Sequence, residues 1–473
     1  MNRAKKFVYD YRYILLFLLG MAIMILRSSF GLKYPSLYAE DGVWTSYLLK
    51  NGYSWTVLNA RADYFPIVII TMLQLAKILS VIFTNGDISY IPIFLFYISC
   101  IYFTFVAMLP AMTLGKRINW LAKLFLFFGL LCIPLGNSYT EVLGRTLQCH
   151  FYIWIIVFCL LVYRYDNKNN KKFLITLIDI ALIPLIMTFP SVLLEYGVYG
   201  LIEIYNIIKK YFFKNKQSTK DKFKLMFKNE IKKYHIKSLI ISFIVIFFLS
   251  IYILIRMKNA NMDFDTGFNY KNIIEIIIRV FIFNFVFGFY NKLNNSISVI
   301  IIILYVSLII YLFFKIDNKS RFFYIISLFS FISIGIITLT SRGSITFFQN
   351  GYSDTYPDRY YMCTNAMALF PISIIVSEGF KVKRNLLRYV AVFMIVIILI
   401  NILLSFNNIF ALSSNQTAWI KNKSLKDRIQ ESFNLDKRTE DGKNYIVDID
   451  PGWTFEIPLE LIDNSVKKGS EFE

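Results

Sequence analysis

The first apolar run of the chain, residues 13–29, is followed at once by the stretch Tyr38-Ala39-Glu40-Asp41-Gly42-Val43-Trp44. A run of this kind predicts a membrane-spanning helix. The basic residues 1–12 should stay in the cytoplasm, because Lys and Arg mark the cytoplasmic side of membrane proteins. No small-residue cleavage site follows the run, so we predict a retained helix and not a signal peptide. The two adjacent carboxylates are then expected where the chain has just left the membrane on the outer side.

The composition extends this interpretation to the whole chain. Its 473 residues are 56% hydrophobic and include 46 Phe and 32 Tyr. Repeated apolar runs of about 20 residues are foreign to soluble proteins, so we predict an all-α polytopic membrane protein. The net charge of +20 is explained by loops held in the cytoplasm, and no nucleic-acid motif accompanies it, which argues against a nucleic-acid partner. The five cysteines show no paired short spacing and are interpreted as packing residues.

The charge bias of the loops decides which apolar runs are counted as spans. Counting runs 64–83 and 272–290 would put basic loops outside, against the positive-inside rule. Gln74 and Lys77 lie in the middle of the first run, where a charge facing lipid is costly. We therefore predict that both runs lie in, or re-enter from, the outer interface. The predicted spans are the eleven runs 13–29, 88–114, 119–135, 150–163, 173–189, 192–209, 239–256, 299–314, 322–339, 362–376 and 387–405.

The polar C-terminal part is predicted to differ from the rest. Residues 1–406 should form the transmembrane bundle, and residues 407–473 a small extracytoplasmic tail. Within the tail, Tyr445-Ile446-Val447-Asp448-Ile449-Asp450-Pro451-Gly452-Trp453 alternates as a short strand that ends in a turn. The tail is too short for a robust independent domain, so we expect it to pack on the outer membrane face.

With this topology the unusual polar residues collect in the outer loops, whereas the cytoplasmic loops carry mostly Lys. The first outer loop contains Glu40, Asp41 and Asp63. Two close acids tend to raise one pKa, which suits a general base or a metal ligand. The plainer alternative is a pair of solvated loop residues. Trp44 and Tyr38 beside the acids suit stacking on a sugar ring or a place at the bilayer interface, and the sequence does not choose between them.

The second outer loop carries a polar group next to one of the two histidines. Glu141, Arg145 and Gln148 are spaced i, i+4 and i+7, so on a helix they would share one face. His150 follows directly. A polar loop that ends in a helix cap is the plainer alternative, and for His150 alone a structural hydrogen bond is favoured over an acid–base role.

The last outer loop contains Arg342 and the stretch Asp358-Arg359-Tyr360-Tyr361. An arginine at a membrane edge can simply extend to lipid phosphate, but its guanidinium is also shaped for a bidentate grip on a phosphate. Two arginines outside, against the positive-inside trend, favour phosphate binding in a site.

Charged residues inside the predicted spans are few, and the clearest are Asp179, Glu195 and Glu203. An ionisable residue within a span is a candidate functional residue by default. Asp179 suits a proton relay or a pair within the bundle, and with Glu195 it is the main support for a transporter. Motifs of the GxxxxGK[ST], HExxH and CxxC types are absent, which argues against a nucleotide-driven pump.

Several short motifs follow one another in an order that resembles the GT-C superfamily of polytopic glycosyltransferases. The resemblance is closest to the group near the bacterial serotype-converting O-antigen glucosyltransferases. The motifs are Ala39-Glu40-Asp41-Gly42, Ala62-Asp63-Tyr64-Phe65, Glu141-Val142-Leu143-Gly144 with His150, Asp358-Arg359-Tyr360-Tyr361 and Asp450-Pro451-Gly452-Trp453. The group often has Asn and Trp around the histidine, where this chain has Gln148, Cys149 and Phe151.

The resemblance implies an inverting glycosyltransferase in the cell membrane, with a GT-C-like bundle and an extracytoplasmic active site. The donor would be a polyprenyl-phosphate sugar, and the acceptor a cell-surface glycan or a lipid-linked glycan. Asp41, or otherwise Glu40, would remove the proton of the acceptor hydroxyl. A divalent cation such as Mg²⁺ or Mn²⁺, held by Glu40, Asp41 and Glu141, is left open. The residues expected to contact substrate are Glu141, Arg145, His150, Arg342, Arg359, Tyr360, Trp44 and Asp63, with the donor phosphate on Arg342 or Arg359.

Two other functions stay open at this point. A transporter or flippase of lipid-linked sugar would depend on Asp179 and Glu195. A polysaccharide polymerase or ligase would use the arginines of the outer loops without needing the acid pair of the first loop.

Overall fold

The computed structural model describes residues 3–115, 117–135, 139–167, 172–212, 233–260, 295–341, 362–381, 385–404, 406–409 and 423–461. The helices are α1 Arg3–Arg27, α2 Ser29–Lys33, α3 Glu40–Asn59, α4 Ile67–Thr84, α5 Ile91–Thr113, α6 Trp120–Leu131, α7 Tyr139–Val142, α8 Ile153–Asn167, α9 Lys172–Thr188, α10 Leu193–Phe212, α11 Tyr234–Asn259, α12 Asn295–Lys315, α13 Asn318–Ser341, α14 Met362–Gly379, α15 Asn385–Leu404, α16 Phe406–Ile409 and α17 Leu425–Asn434. The strands are β1 Asn444–Ile449 and β2 Trp453–Pro458.

The prediction of a helical, multi-pass membrane protein is confirmed. Within the described ranges, eight helices, some with a short 3₁₀ turn at their start, are long and apolar enough to cross a membrane. They are Ile67–Thr84, Ile88–Thr113, Leu147–Asn167, Pro190–Lys210, Ile236–Asn259, Ser320–Thr338, Met362–Gly379 and Leu386–Leu404. Each of the eleven predicted spans coincides with a helix, while the number that cross and their orientation stay predictions.

Of the two runs predicted to lie at the interface, the first is a helix in the structure. Residues 64–83 form most of α4, an 18-residue helix with the length and hydropathy of a span. Lys77 lies on this helix, and its ammonium donates to the carbonyl of Leu48 at 3.5 Å, which gives the charge a polar neighbour. Run 272–290 lies outside the described residues.

The contacts divide the chain into two compact units. The first contains Met1–Ala60, Ile69–Tyr152 and Phe264–Glu473. Every residue of α14 in this unit is buried, which suits a central helix packed by α6, α13 and α15 and away from lipid. The second unit contains Arg61–Val68 and Ile153–Asp263, and its helices are α8 to α11.

A buried arginine closes the end of α6 in the first unit. The guanidinium of Arg27, 1% exposed, donates to the carbonyls of Leu131 and Ile133, the latter at 2.7 Å. Its Nε donates to the carbonyl of Ile409 at 2.7 Å. The last carbonyls of a helix have no partner within the helix, so the side chain satisfies groups that burial would otherwise leave costly. Through these hydrogen bonds Arg27, on α1, holds the ends of α6 and α16 together.

The tail forms a helix and an antiparallel hairpin. Ser424 and Asp427 make a capping box at the start of α17. The strand predicted over 445–453 is present as β1, which pairs with β2 so that Asn444 faces Pro458 and Ile449 faces Trp453. The inward side chains of the hairpin are apolar and buried: Val447, Ile449, Phe455 and Ile457. The hairpin packs on α3, which places the tail against the acidic motif.

Candidate functional site

The acidic motif begins a helix and does not lie in a loop. α3 starts at Glu40, so both carboxylates are in the first turn, where the helix dipole favours negative charge. The preceding residue, Ala39, has φ 46 and ψ −125, a conformation that is costly for a residue with a Cβ. The motif is therefore helical, because the chain turns sharply at Ala39 and enters a helix, and its place on the outer side of the membrane stays a prediction.

Asp41 is the buried member of the acid pair. Its carboxylate, in a residue 1% exposed, accepts from the Thr146 hydroxyl at 2.8 Å and from the Thr146 N–H at 3.4 Å. Burial raises the pKa of Asp41 to about 6, while the hydrogen bond from Thr146 and the charge of Arg145 act to lower it. A carboxyl group with this pKa is mostly ionised at pH 7 and can still accept a proton.

Glu40 is half-buried and does not share the environment of Asp41. Neighbouring residues of a helix do not face each other, because each step turns about 100°. The prediction that the two close carboxylates raise one pKa was therefore wrong, because burial is the cause of the raised pKa of Asp41. No group of three potential ligands is assembled in the described ranges, so Glu40, Asp41 and Glu141 do not form a cation site there.

Arg145 lies beside Asp41 at the centre of the site. It is 4% exposed, its Nη1 donates to the carbonyl of Ser36, and its guanidinium lies over the ring of Tyr38 at 5.6 Å. Burial lowers the pKa of Arg145, and the charges of Asp41 and Asp450 raise it. Among the described atoms its buried Nε has no hydrogen-bond partner, which leaves one donor for a ligand.

The helical face predicted for Glu141, Arg145 and Gln148 was wrong. α7 ends at Val142, and Gly144 then takes φ 71, a conformation that glycine adopts without strain. A Cβ at Gly144 would come within 2.8 Å of the Phe96 ring. The turn at Gly144, and not a 3.6-residue period, carries Arg145 to Asp41.

His150 and Trp44 make contacts within the protein that suit structural roles. The Nδ1 of His150 lies 2.6 Å from the carbonyl of Leu147, one turn earlier in the 3₁₀ helix Leu147–Tyr152, and its ring lies against Phe151. This geometry agrees with the structural role favoured from the sequence. Trp44 is 2% exposed, so its ring packs in the core and presents no stacking face for a sugar.

The remaining predicted substrate residues are Asp63, Arg342, Arg359 and Tyr360. Asp63 belongs to the second unit and forms a bidentate ion pair with Arg61, with both N–O distances 2.9 Å. Arg342, Arg359 and Tyr360 lie outside the described residues.

Three residues that the sequence did not single out for the site contribute to it. Thr146 binds Asp41 through its hydroxyl and its N–H. From the tail, Asp450 is 2% exposed and accepts from Arg428 at 2.7 Å. Thr146 had one weak signal, its place next to Arg145. Arg428 had none, because its partner is 22 residues away in a different element.

A second buried carboxylate, Asp179, lies in the second unit. Arg164 grips it with two hydrogen bonds of 2.6 and 2.9 Å. The same guanidinium donates to the Tyr199 hydroxyl at 2.8 Å, which donates to Glu203 at 2.8 Å. Of the two sequence interpretations of Asp179, the pair within the bundle is the one present.

Comparison with known proteins finds no family model that matches the sequence, no similar curated protein and no similar solved structure. The functional argument therefore rests on the residues of this chain.

Proposed function

We propose that this protein is an inverting glycosyltransferase with a GT-C-like bundle that moves a sugar from a polyprenyl phosphate to a cell-surface glycan or lipid-linked acceptor. The observation that carries the proposal is the environment of Asp41. It is a carboxylate 1% exposed, held by Thr146, with a pKa raised to about 6. A base in this range works well near neutral pH, because it is ionised yet holds a proton firmly enough to remove it from a hydroxyl.

In this reaction Asp41 removes the proton from the acceptor hydroxyl as its oxygen attacks the anomeric carbon. The new C–O bond forms on the face opposite the phosphate. The bond between the anomeric carbon and the phosphate oxygen breaks, and its electron pair leaves with the lipid phosphate. One displacement with one base inverts the configuration and requires no covalent enzyme intermediate. The hydrogen bonds from Thr146 fix the direction of the carboxylate before the acceptor arrives.

Arg145 suits the stabilisation of the departing phosphate. Its buried Nε is a donor without a hydrogen-bond partner among the described atoms, and a phosphate oxygen would satisfy it. A charge that faces the leaving oxygen in a water-poor site lowers the barrier to bond breaking. The roles of Arg342 and Arg359 as further phosphate ligands, and of Glu141 and Tyr360 at the sugar, belong to the same proposal.

The proposal includes the location of the reaction. The protein would lie in the cell membrane with its N-terminus in the cytoplasm and the Asp41 site outside, as the basic residues 1–12 and the first span indicate. Asp179, on which a transporter would depend, is held by two hydrogen bonds from Arg164.

The test is the surface glycan of the native host that carries Asp41→Asn at equal membrane level. We expect one side-branch sugar to be lost from the monosaccharide and linkage analysis, and that sugar identifies the donor. Glu40→Gln is the matched control, because it removes the neighbouring charge of a half-buried residue. Unchanged composition in Asp41→Asn contradicts the proposal, and a changed chain length with unchanged composition indicates a polymerase or ligase.

A further inference from the structure

The C-terminal hairpin is bonded directly to the acidic motif. The Ala39 N–H donates to the Asp450 carbonyl at 2.7 Å, and Tyr38 and Asp450 form a parallel bridge. Further along α3, the N–H of Glu456 donates to the Ser46 hydroxyl at 2.7 Å. The hairpin therefore touches α3 on both sides of Asp41 in the sequence.

Steric fit reinforces these bonds. A Cβ on Gly42 would lie 2.1 Å from Cδ1 of Ile449, much closer than two carbon atoms can approach. A larger residue after Asp41 would therefore force the Ile449 side chain on β1 to move. The strained backbone of Ala39 is held in the same place by the carbonyl of Asp450.

The hairpin also brings charge into the site. The Asp450 side chain, 3% exposed, pairs with Arg428 and attracts Arg145. Arg428 and Arg145 repel each other, and the carboxylate of Asp450 offsets that repulsion. Removal of this carboxylate would leave two buried guanidinium groups facing each other, which is costly in a low dielectric. The charge of Arg145 is therefore offset in part by a residue about 300 positions later in the chain.

We infer that the C-terminal hairpin, β1 and β2, is a working part of the Asp41 site and that Asp450 is a positioning residue that acts on Asp41 through Arg145. The catalytic meaning of this arrangement rests on the proposed function, whereas the arrangement itself does not. The groups that face Asp41 are Arg145 and Thr146 from the loop after α7 and Cys149 from the following 3₁₀ helix.

The experiment measures the protonation of Asp41 without an assay of sugar transfer. Dicyclohexylcarbodiimide modifies buried carboxyl groups in their protonated form, and mass spectrometry of the full-length protein in membranes locates the product. Wild type should be half-modified at Asp41 near pH 6. In Asp450→Asn we expect this midpoint to fall by about one pH unit, because the charge of Arg145 is no longer offset by Asp450 and favours the ionised form of Asp41 more strongly. The pH profile of sugar transfer should move downward by the same amount.

Asp448→Asn is the matched control. Its carboxylate lies on the same strand, but it is 54% exposed and pairs with Lys437 at 2.7 Å, so the Asp41 midpoint should stay at the wild-type value. Asp450→Glu keeps a carboxylate at this position, so its Asp41 midpoint should return most of the way to the wild-type value. An Asp450→Asn protein with the wild-type midpoint overturns the inference.

A size exchange tests the hairpin even if Asp450→Asn fails to accumulate. Gly42→Ala should displace Ile449 with the hairpin and lower the midpoint, and adding Ile449→Val, which lacks Cδ1, should bring it back. Gly42→Ala with an unchanged midpoint overturns the inference. If the midpoints shift while Asp41→Asn retains transfer, the proposed function fails and the inference stands. If Asp41→Asn abolishes transfer while Asp450→Asn keeps the wild-type midpoint, the inference fails alone.

Discussion

Asp41 and Asp179 are both almost completely buried, yet their surroundings differ. Asp41, 1% exposed, receives a hydroxyl and a backbone N–H and is only influenced by Arg145 through its charge. Asp179, 2% exposed, has both oxygens in short hydrogen bonds to one guanidinium. Burial alone therefore does not distinguish a chemical group from a structural one. The distinction lies in the partner of the carboxylate, because Asp179 has a bidentate arginine, whereas Asp41 is bonded by Thr146.

The largest expected effect separates the two carboxylates by activity. In membranes supplied with the lipid-linked donor, Asp41→Asn should lower the rate of transfer by about a thousandfold, as the loss of a general base does. Asp179→Asn at equal protein level should stay within about tenfold of wild type, because it changes packing and not the reacting atoms. Equal losses of transfer rate in the two variants would contradict the distinction between Asp41 and Asp179.

The second effect concerns stability at the other carboxylate. Arg164→Met leaves Asp179 buried without its partner and should destabilise the protein by roughly 3–5 kcal/mol. The double variant Arg164→Met/Asp179→Leu removes both charges and should recover most of this loss. The measurement is the thermal midpoint in detergent. A double variant no more stable than Arg164→Met would show that the pair is not the source of the loss.

The third effect is the pH dependence of stability at Asp41. Its pKa rises from an ordinary 3.8 to about 6 on folding, so the folded state binds the proton more tightly than the unfolded state. The associated stability is fully present below about pH 4 and is lost as the pH rises through about 6. The loss between pH 4 and neutral pH amounts to about 3 kcal/mol. Asn does not titrate. The thermal midpoint of Asp41→Asn should therefore rise relative to that of wild type as the pH increases from 4 to 7. A difference that is flat across this range would contradict the raised pKa.

The smallest effect tests the strained residue beside Asp41. Ala39 has φ 46, whereas the described residues of α8, α9 and α10 include no positive φ outside glycine. Ala39→Gly removes the clash of the Cβ and should stabilise the protein by about 1 kcal/mol. A thermal midpoint raised by a few degrees is the expected result. A lower midpoint would mean that the side chain of Ala39 contributes more than its backbone costs.

The membrane class and the strand of the tail could be predicted from the sequence. Apolar runs and charge bias are local properties, and they have the same meaning in any chain that must satisfy its backbone in lipid. The interpretation of Glu141, Arg145 and Gln148 as a helical face failed because Gly144 breaks the period with a positive φ. Local patterns therefore drew attention to Asp41 and Arg145 but assigned the wrong local geometry to the second of them.

By itself, the sequence determined that the chain is built of membrane-length helices and that carboxylates follow the first of them. Only the tertiary structure decided that Asp41 is buried while Glu40 is not, and that Thr146 and Arg145 face it. It also decided that the charge of Asp450, about 300 residues later in the chain, acts on Arg145. Hydropathy is additive along a segment, whereas the pKa of a carboxylate and the place of its partners depend on desolvation and charges brought together from distant segments.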